Sequence, residues 1–310
     1  MNDENKMTNS AKVLALPLVS IVTPSFNQGQ FLEETILSVL QQEYQNVEYI
    51  IIDGGSTDNS LEVIKRYEHR LAYWVSEKDC GQADAINKGF QRSTGQIVGW
   101  LNSDDLLYPA AIKDVVNEFQ RNSDLELIYG DVDYGPSTDA ILRKISGNTV
   151  VFKNMMRSLQ VPIPQQGSLW KRSVLNKIGP LNPRWHVVLD RDFFIRAASE
   201  CKLLYLPMTL GLFRDHNLSK SSSQQTHWLA ELPAMYDEFF TRKHLPREIY
   251  DVKEQTMGMV YITCASIAFR NSGSMASLRY LMKAISADPL VLFRGTIRQK
   301  IIGLMRKRVP

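Results

Sequence analysis

From Leu18 to Leu101, apolar runs of strand length alternate with segments whose apolar side chains recur at helical spacing. That alternation commits the chain to an α/β sheet with largely parallel strands, because a strand that returns through a helix re-enters the sheet in the same direction. Val19-Ser20-Ile21-Val22-Thr23 reads as the first strand, broken by Pro24 and the turn-forming Asn27-Gln28-Gly29. Phe31, Ile36, Val39 and Leu40 mark the helix behind it. A second strand, Val47 to Ile52, stops at Asp53-Gly54-Gly55-Ser56-Thr57-Asp58, and Leu61, Ile64 and Tyr67 open the next helix. Leu71 to Val75 gives a short third strand and Gly81 to Phe90 a helix. Gly95 to Leu101 is a fourth strand, ending in Asn102-Ser103-Asp104-Asp105. Ligands of open α/β sheets sit outside the carboxyl ends of the strands, so the polar turns after Thr23, Ile52 and Leu101 are expected around one pocket.

Beyond Asp105 the pattern is mixed. Leu127 to Asp133 and Gln165 to Trp170 read as strands, and Val188 to Ala198 as an amphipathic helix opening with Asp190-Arg191-Asp192. From Gln225 the chain reads as helical, with a turn at Asn271-Ser272-Gly273. The expected division is a disordered lead at 1–16, an α/β domain at 17–224 and a helical extension at 225–310. A chain of 310 residues, 44% hydrophobic and 22% charged, has the apolar content for one large core plus such an appendage.

Three cysteines without paired spacing exclude a disulfide framework and a zinc-finger pattern, which points to a reduced, cytoplasmic setting. Met1 to Ser10 is polar and reads as neither signal peptide nor anchor. The apolar stretch from Thr256 to Phe269 falls short of the ~20 residues that a spanning helix requires. A formal charge of +3 gives no reason to expect a nucleic-acid partner, yet Arg294, Arg298, Lys300, Arg306, Lys307 and Arg308 crowd the end with no acid among them. Interleaved with Leu290, Phe293, Ile297, Ile301 and Leu304, they make 290–310 either an amphipathic helix for peripheral membrane contact or a solvated terminal helix.

The adjacent carboxylates of Asp104 and Asp105 repel each other and require a cation, a hydrogen-bonding partner or water. A divalent ion, Mn²⁺ or Mg²⁺, favours carboxylate oxygen and leaves places for phosphates. A helix cap with a solvated acidic neighbour is the alternative.

In order and spacing, several segments together resemble the family 2 glycosyltransferases over roughly Leu18 to Ser222. They are Val19 to Asn27, Ile52 to Asp58, Gly81 to Gly89, the acidic tip, Leu189-Asp190-Arg191-Asp192 and Arg214-Asp215-His216-Asn217-Leu218-Ser219-Lys220. The resemblance implies a GT-A fold, that is, a Rossmann-like nucleotide-diphospho-sugar transferase with a mixed, mostly parallel sheet flanked by helices. It also implies a metal-dependent, inverting transfer of a sugar to an acceptor hydroxyl. The tip is similar to the family's Asp-x-Asp motif, which holds a divalent ion on the donor diphosphate. Here Asn102 leads the motif, so ligation falls on Asp104, with Asp105 as rival, while Asn102 and Ser103 contact the donor.

By the same resemblance Asp190 matches the catalytic base, complementing a helix dipole being the alternative, and Asp53 with Gly54 matches the nucleoside-binding loop. The family's usual second acid is absent at Gly54, so a UDP-sugar is only the favoured donor. Pro24 and Phe26 would line the base pocket, or serve the turn alone. Asp84 and Asn87, three apart on one helix, would look towards the donor or into solvent. His216 would join the metal and Ser219-Lys220 the diphosphate, unless the histidine is structural. Trp170, Trp185, Gln165 and Gln166 are candidates for the acceptor side, with burial the alternative for the tryptophans.

The implied acceptor is a glycan or lipid-linked glycan in cell-surface polysaccharide synthesis, at the cytoplasmic face of the membrane. A nicotinamide-dependent oxidoreductase is excluded, because no Gly-x-Gly-x-x-Gly follows the first strand and no Walker-type loop occurs. A catalytically silent scaffold of the same fold is the remaining alternative, with Asn102 and Gly54 in its favour.

Overall fold

The computed structural model describes residues 16–217, 227–243 and 245–293. Four strands, β1 (Val19–Ser25), β2 (Val47–Asp53), β3 (Tyr73–Ser76) and β4 (Ile97–Trp100), alternate with α1 (Gly29–Leu40), α2 (Ser60–Tyr67) and α3 (Gln82–Arg92). They lie in the order β3-β2-β1-β4, all parallel. The chain thus steps outward from β1 to β3 and comes back on the other side of β1, which puts the topological switch point between the ends of β1 and β4.

Parallel strands covered on both faces read as unbroken apolar runs, and Ile50, Ile51 and Ile52 of β2 are all fully buried. Successive side chains point to opposite faces. Ile50 and Ile52 join Ala83, Ile86 and Trp100 in one cluster, while Ile51 joins Leu32 and Ile36 in the other. So α3 covers one face and α1 its opposite. A Cβ at Gly89 would lie 2.2 Å from Val22 Cγ1, so α3 meets β1 more closely than any side chain there permits.

The second half completes a mixed sheet. It comprises β5 (Leu106–Leu107), α4 (Ala111–Arg121), β6 (Leu127–Gly135), β7 (Arg143–Ile145), α5 (Phe152–Ser158), β8 (Ser168–Lys171), α6 (Ser173–Ile178), α7 (Leu189–Glu200) and β9 (Leu203–Arg214). β8 runs antiparallel between β4 and β6, and β9 pairs in parallel with β6 and antiparallel with β5. The strand read at Gln165 is shorter than expected, because Gln165 and Gln166 form a turn closed by the Ser168 N–H on Gln165 O. Sequence reading assigned no strand at β9. Pro207 and Met208 interrupt its pattern, and β6 accommodates them by an irregularity in which Gly130 faces Leu206 and Asp131 faces Thr209.

The remaining helices are α8 (His227–Phe240), α9 (Arg247–Tyr250), α10 (Lys253–Ser272) and α11 (Ser274–Ala287). They share the core of the sheet. Leu232, Tyr236, Phe239 and Val260 belong to the same cluster as Trp100, Trp170 and Phe193. No described helix is long and apolar enough to cross a membrane. All of the expected lead at 1–16 but Leu16, together with Ser219, Lys220 and the basic residues of 294–310, lies outside the described residues.

Candidate active site

The acidic tip follows directly from strand pairing. Leu101 N still reaches Val22 O at 2.9 Å, and the Asp105 N–H then closes a turn on Asn102 O at 3.1 Å. That turn sends the two adjacent carboxylates in different directions. Asp105 is 1% exposed. Its Oδ1 accepts the Arg214 N–H (3.0 Å) and its Oδ2 accepts the amides of Asn102 (3.0 Å) and Gln166 (2.9 Å). Burial, then the Asp104 charge, pushes its carboxyl up to about 8, against the pull of those N–H donors. Protein donors engage both oxygens of Asp105, expected as the rival metal ligand, and it ties the tip to β9.

Asp104 faces the other way. Its Oδ2 lies 2.9 Å from His216 Nε2, and its backbone carbonyl accepts from Arg214 Nε at 2.8 Å. The His216 ring packs on Phe31, centroids 4.4 Å apart, and its Nδ1 is buried with no partner. Arg214 also lies 5.0 Å over the Phe31 ring and pairs with Glu34. The pairing of β5 with β9, Leu106 opposite Leu212, delivers Arg214 and His216 to this spot. Asn102 accepts from Gln82 Nε2 at 2.8 Å through Oδ1, and its amide donates to Asp105 and Gln165. It therefore knits α3 to the tip instead of presenting a free amide to a donor. Ser103 is buried, its carbonyl accepting from Thr35 Oγ1 at 3.0 Å.

At the second strand end Asp53 is completely buried. Its carboxylate accepts from Gly55 N (3.1 Å), Ser56 N (2.9 Å), Ser56 Oγ (2.5 Å) and Ser76 Oγ (2.7 Å). Four protein donors surround this carboxylate, which gives it a structural part in the turn. Asn27 Oδ1 accepts the Thr57 N–H at 2.9 Å, stitching the first turn to the second. Pro24 is buried in β1, whereas Phe26 is 60% exposed. At Gly54 a Cβ would come within 2.6 Å of Asp79 Oδ2, so the Asp79 carboxylate holds the space that a side chain at 54 would need. Sequence reading passed over Asp79, although an acid two residues before Gly81 was visible.

Asp84 and Asn87, neighbours on α3, make separate contacts. Asp84 Oδ2 accepts the Cys80 N–H at 3.0 Å and pairs with Lys88 at 3.5 Å, at the mouth of α3. Asn87 donates to Leu181 O and accepts the Leu181 N–H, at 2.8 and 3.0 Å, which fixes a distant loop and uses both ends of its amide. Gly81, at φ +108°, starts α3 with the His186 ring beside it.

Asp190 stands in the first turn of α7. Its Oδ1 accepts the Arg191 N–H at 2.7 Å. Asp190 is exposed, yet the protein atoms around its carboxyl raise its proton affinity above the ordinary range; the Arg191 amide and charge oppose the shift. Asp192 does more than complement a helix dipole: it is buried in an ion pair with Arg196, which also donates to Ile178 O and Pro180 O. Trp170 and Trp185 are both buried, so neither offers a face to a sugar, and Gln165 and Gln166 brace the tip from beneath.

A mixed sheet flanked by helices, nine-stranded among the described residues, is the fold of the GT-A glycosyltransferases. The sequence model described as Glycosyl transferase family 2 matches residues 20–178, and the chain belongs to that family. An uncharacterized glycosyltransferase of Mycobacterium tuberculosis H37Rv is 30% identical over 188 residues, covering 60% of this chain and 71% of the relative. A PGL/p-HBAD biosynthesis glycosyltransferase of Mycobacterium bovis BCG is 26% identical over 226 residues, covering 71% and 86%. Among solved structures, S. aureus TarS 1–349 in complex with UDP-GlcNAc superposes with a TM-score of 0.63 at 13% identity, covering 88% of this chain and 91% of that one. The mannosyltransferase PcManGT of Pyrobaculum calidifontis, in complex with GDP-Man and Mn²⁺, gives 0.62 at 15% identity, covering 93% and 84%.

Proposed function

We propose that this glycosyltransferase inverts the anomeric centre, carrying a sugar from a nucleotide-diphospho-sugar to a hydroxyl of a glycan or lipid-linked glycan in cell-surface polysaccharide synthesis. A UDP-sugar is the first donor to test, a choice supported by the TarS complex with UDP-GlcNAc. The observation that carries the reading is the Asp104–His216 pair at the sheet's switch point.

The pair fits a divalent ion. A carboxylate oxygen with an imidazole nitrogen suits Mn²⁺. No cluster of three His, Cys, Asp or Glu forms among the described residues, and two protein ligands leave the remaining positions to phosphate and water, the habit of such ions in phosphate sites. The Mn²⁺ in the PcManGT complex supports the assignment. Asp104 and His216 would hold the ion, which offsets negative charge as the nucleoside diphosphate departs.

Asp190 takes the proton from the acceptor hydroxyl while that oxygen attacks the anomeric carbon opposite the leaving group. One carboxylate suffices for this single displacement. Its raised proton affinity brings it nearer to neutral pH, where a general base works best. Asp105, Asn102, Gln82 and Gln166 hold the tip so that Asp104 keeps its direction.

The transferase domain spans 17–224 and the extension 225–310, with a shared core. Met275, Leu278, Met282 and Ile285 are exposed along one face of α11, and Phe293 is 85% exposed. From 274 to 310 eight Lys and Arg face a single acid, Asp288, although the whole chain carries only +3. Apolar area beside cationic charge supports peripheral contact with the cytoplasmic face of a membrane, where a lipid-linked acceptor would lie. The relative named for PGL/p-HBAD biosynthesis is consistent with a lipid-borne acceptor. Screening nucleotide-sugars for binding and turnover with Mn²⁺, and with EDTA as control, tests donor and metal together. Turnover that EDTA leaves untouched would refute the metal role.

A further inference from the structure

The helices after residue 225 reach the segment that carries Asp190, and a buried charge marks the contact. Glu231 lies on α8 between residues that pack in the core, and it is 8% exposed. Its neighbours Leu232, Met235 and Tyr236 show what that face of the helix otherwise selects. A carboxylate in such a place is costly to desolvate unless something donates to it, and an apolar side chain would have packed without that cost. The donors are two consecutive backbone amides: His186 N at 3.0 Å and Val187 N at 2.9 Å both reach Glu231 Oε2. These amides lie immediately ahead of Val188, the residue that caps α7, and so just before the turn bearing Asp190. An acid at that end also complements the helix dipole.

Two further ties from α8 reach the same turn. Arg191 donates to the Tyr236 hydroxyl at 3.3 Å, as well as to Leu159 O at 2.7 Å, and its guanidinium stands 5.9 Å over the Trp228 ring. On its other side the 186 loop touches the mouth of α3, where a Cβ on Gly81 would lie 3.5 Å from His186 Nδ1. The turn that bears Asp190 is thus held between α8 and the start of α3.

We infer that Glu231 is a positioning residue for transfer: it holds the 186–187 backbone so that the Asp190 carboxylate stands where the acceptor hydroxyl must lose its proton. The inference rests on Asp190 as base. A displacement of about 1 Å at such a group costs on the order of 100-fold in rate, so Glu231→Ala lowers kcat by about 10- to 100-fold. The donor KM stays within about twofold, because donor and metal bind at the tip. Glu231→Gln recovers most of the rate, since its amide oxygen accepts the same two N–H groups. Hydrogen exchange at the 186 and 187 amides of the full chain speeds up in Glu231→Ala and not in Glu231→Gln.

Wild-type kcat in Glu231→Ala overturns the inference. So does a fall in donor affinity, metal affinity and thermal midpoint that matches the fall in kcat, or a Gln variant as slow as the Ala one. Protection of the two amides unchanged in Glu231→Ala overturns it whatever Asp190 does. Full activity of Asp190→Asn, with the amides deprotected in Glu231→Ala, would instead remove the base assignment and leave Glu231 as the clamp of this loop.

Discussion

Replacing Asp53 by Ala separates a structural carboxylate from a ligand-binding one. The side chain is wholly inaccessible and accepts four hydrogen bonds, two from backbone amides and two from serine hydroxyls. The hydroxyls of Ser56 and Ser76 can rotate to other partners, whereas the Gly55 and Ser56 amides are fixed by the turn. Hydrogen bonds to a charged acceptor contribute about 1.5–3 kcal/mol each, so the two amides alone put the loss near 3–6 kcal/mol. That is a large part of the roughly 5–15 kcal/mol that holds a domain folded. Urea unfolding followed by tryptophan fluorescence should show a lowered midpoint with an unchanged slope. Asp53→Asn should recover part of the loss, its oxygen accepting while its NH₂ group meets donors. A loss below about 1 kcal/mol, an ordinary surface-scale effect, together with abolished donor binding, would refute this reasoning and return Asp53 to the nucleoside pocket.

Three other outcomes are expected. Asp104→Ala and His216→Ala should each weaken Mn²⁺ binding by at least about tenfold in calorimetric titration, and unaltered affinity would dissolve the proposed pair of ligands. Asp190→Asn should lower kcat by about 10²- to 10⁴-fold with donor binding kept. Because the folded protein raises the Asp190 pKa, the base is lost as pH falls through that raised value, so the acid limb of wild-type kcat should lie above the ordinary carboxylate range. A limb at the ordinary carboxylate value would argue for another base. Arg196→Ala strands the buried Asp192 carboxylate and should cost about 3–5 kcal/mol by denaturation, while Arg196→Ala with Asp192→Leu should cost less.

The first four strands were readable because burial on both faces leaves unbroken runs such as Ile50 to Ile52, and the polar turns then announce the ligand edge. β9 was not, since Pro207 and Met208 break its pattern and only pairing with β6 restores it. Asp104 and Asp105 look alike in sequence; the turn between them decides that one faces His216 and the other Arg214. Helical spacing puts Asp84 and Asn87 together, but it says nothing of Leu181, 94 residues later, which takes up both ends of the Asn87 amide. Glu231 gave no local signal, because its partners are backbone amides 45 and 44 positions earlier.

The return of β9 to the acidic tip has a consequence for how this protein comes into being. His216 meets Asp104 across 112 residues, and Arg214 meets Glu34 across 180. Contacts so remote in sequence close late, after the entropy of long loops has been overcome. During synthesis the strands around β1 can associate early, yet the site stays open until the chain through His216 has emerged. If Asp104 and His216 hold the metal as proposed, activity is expected only after this long-range contact has closed.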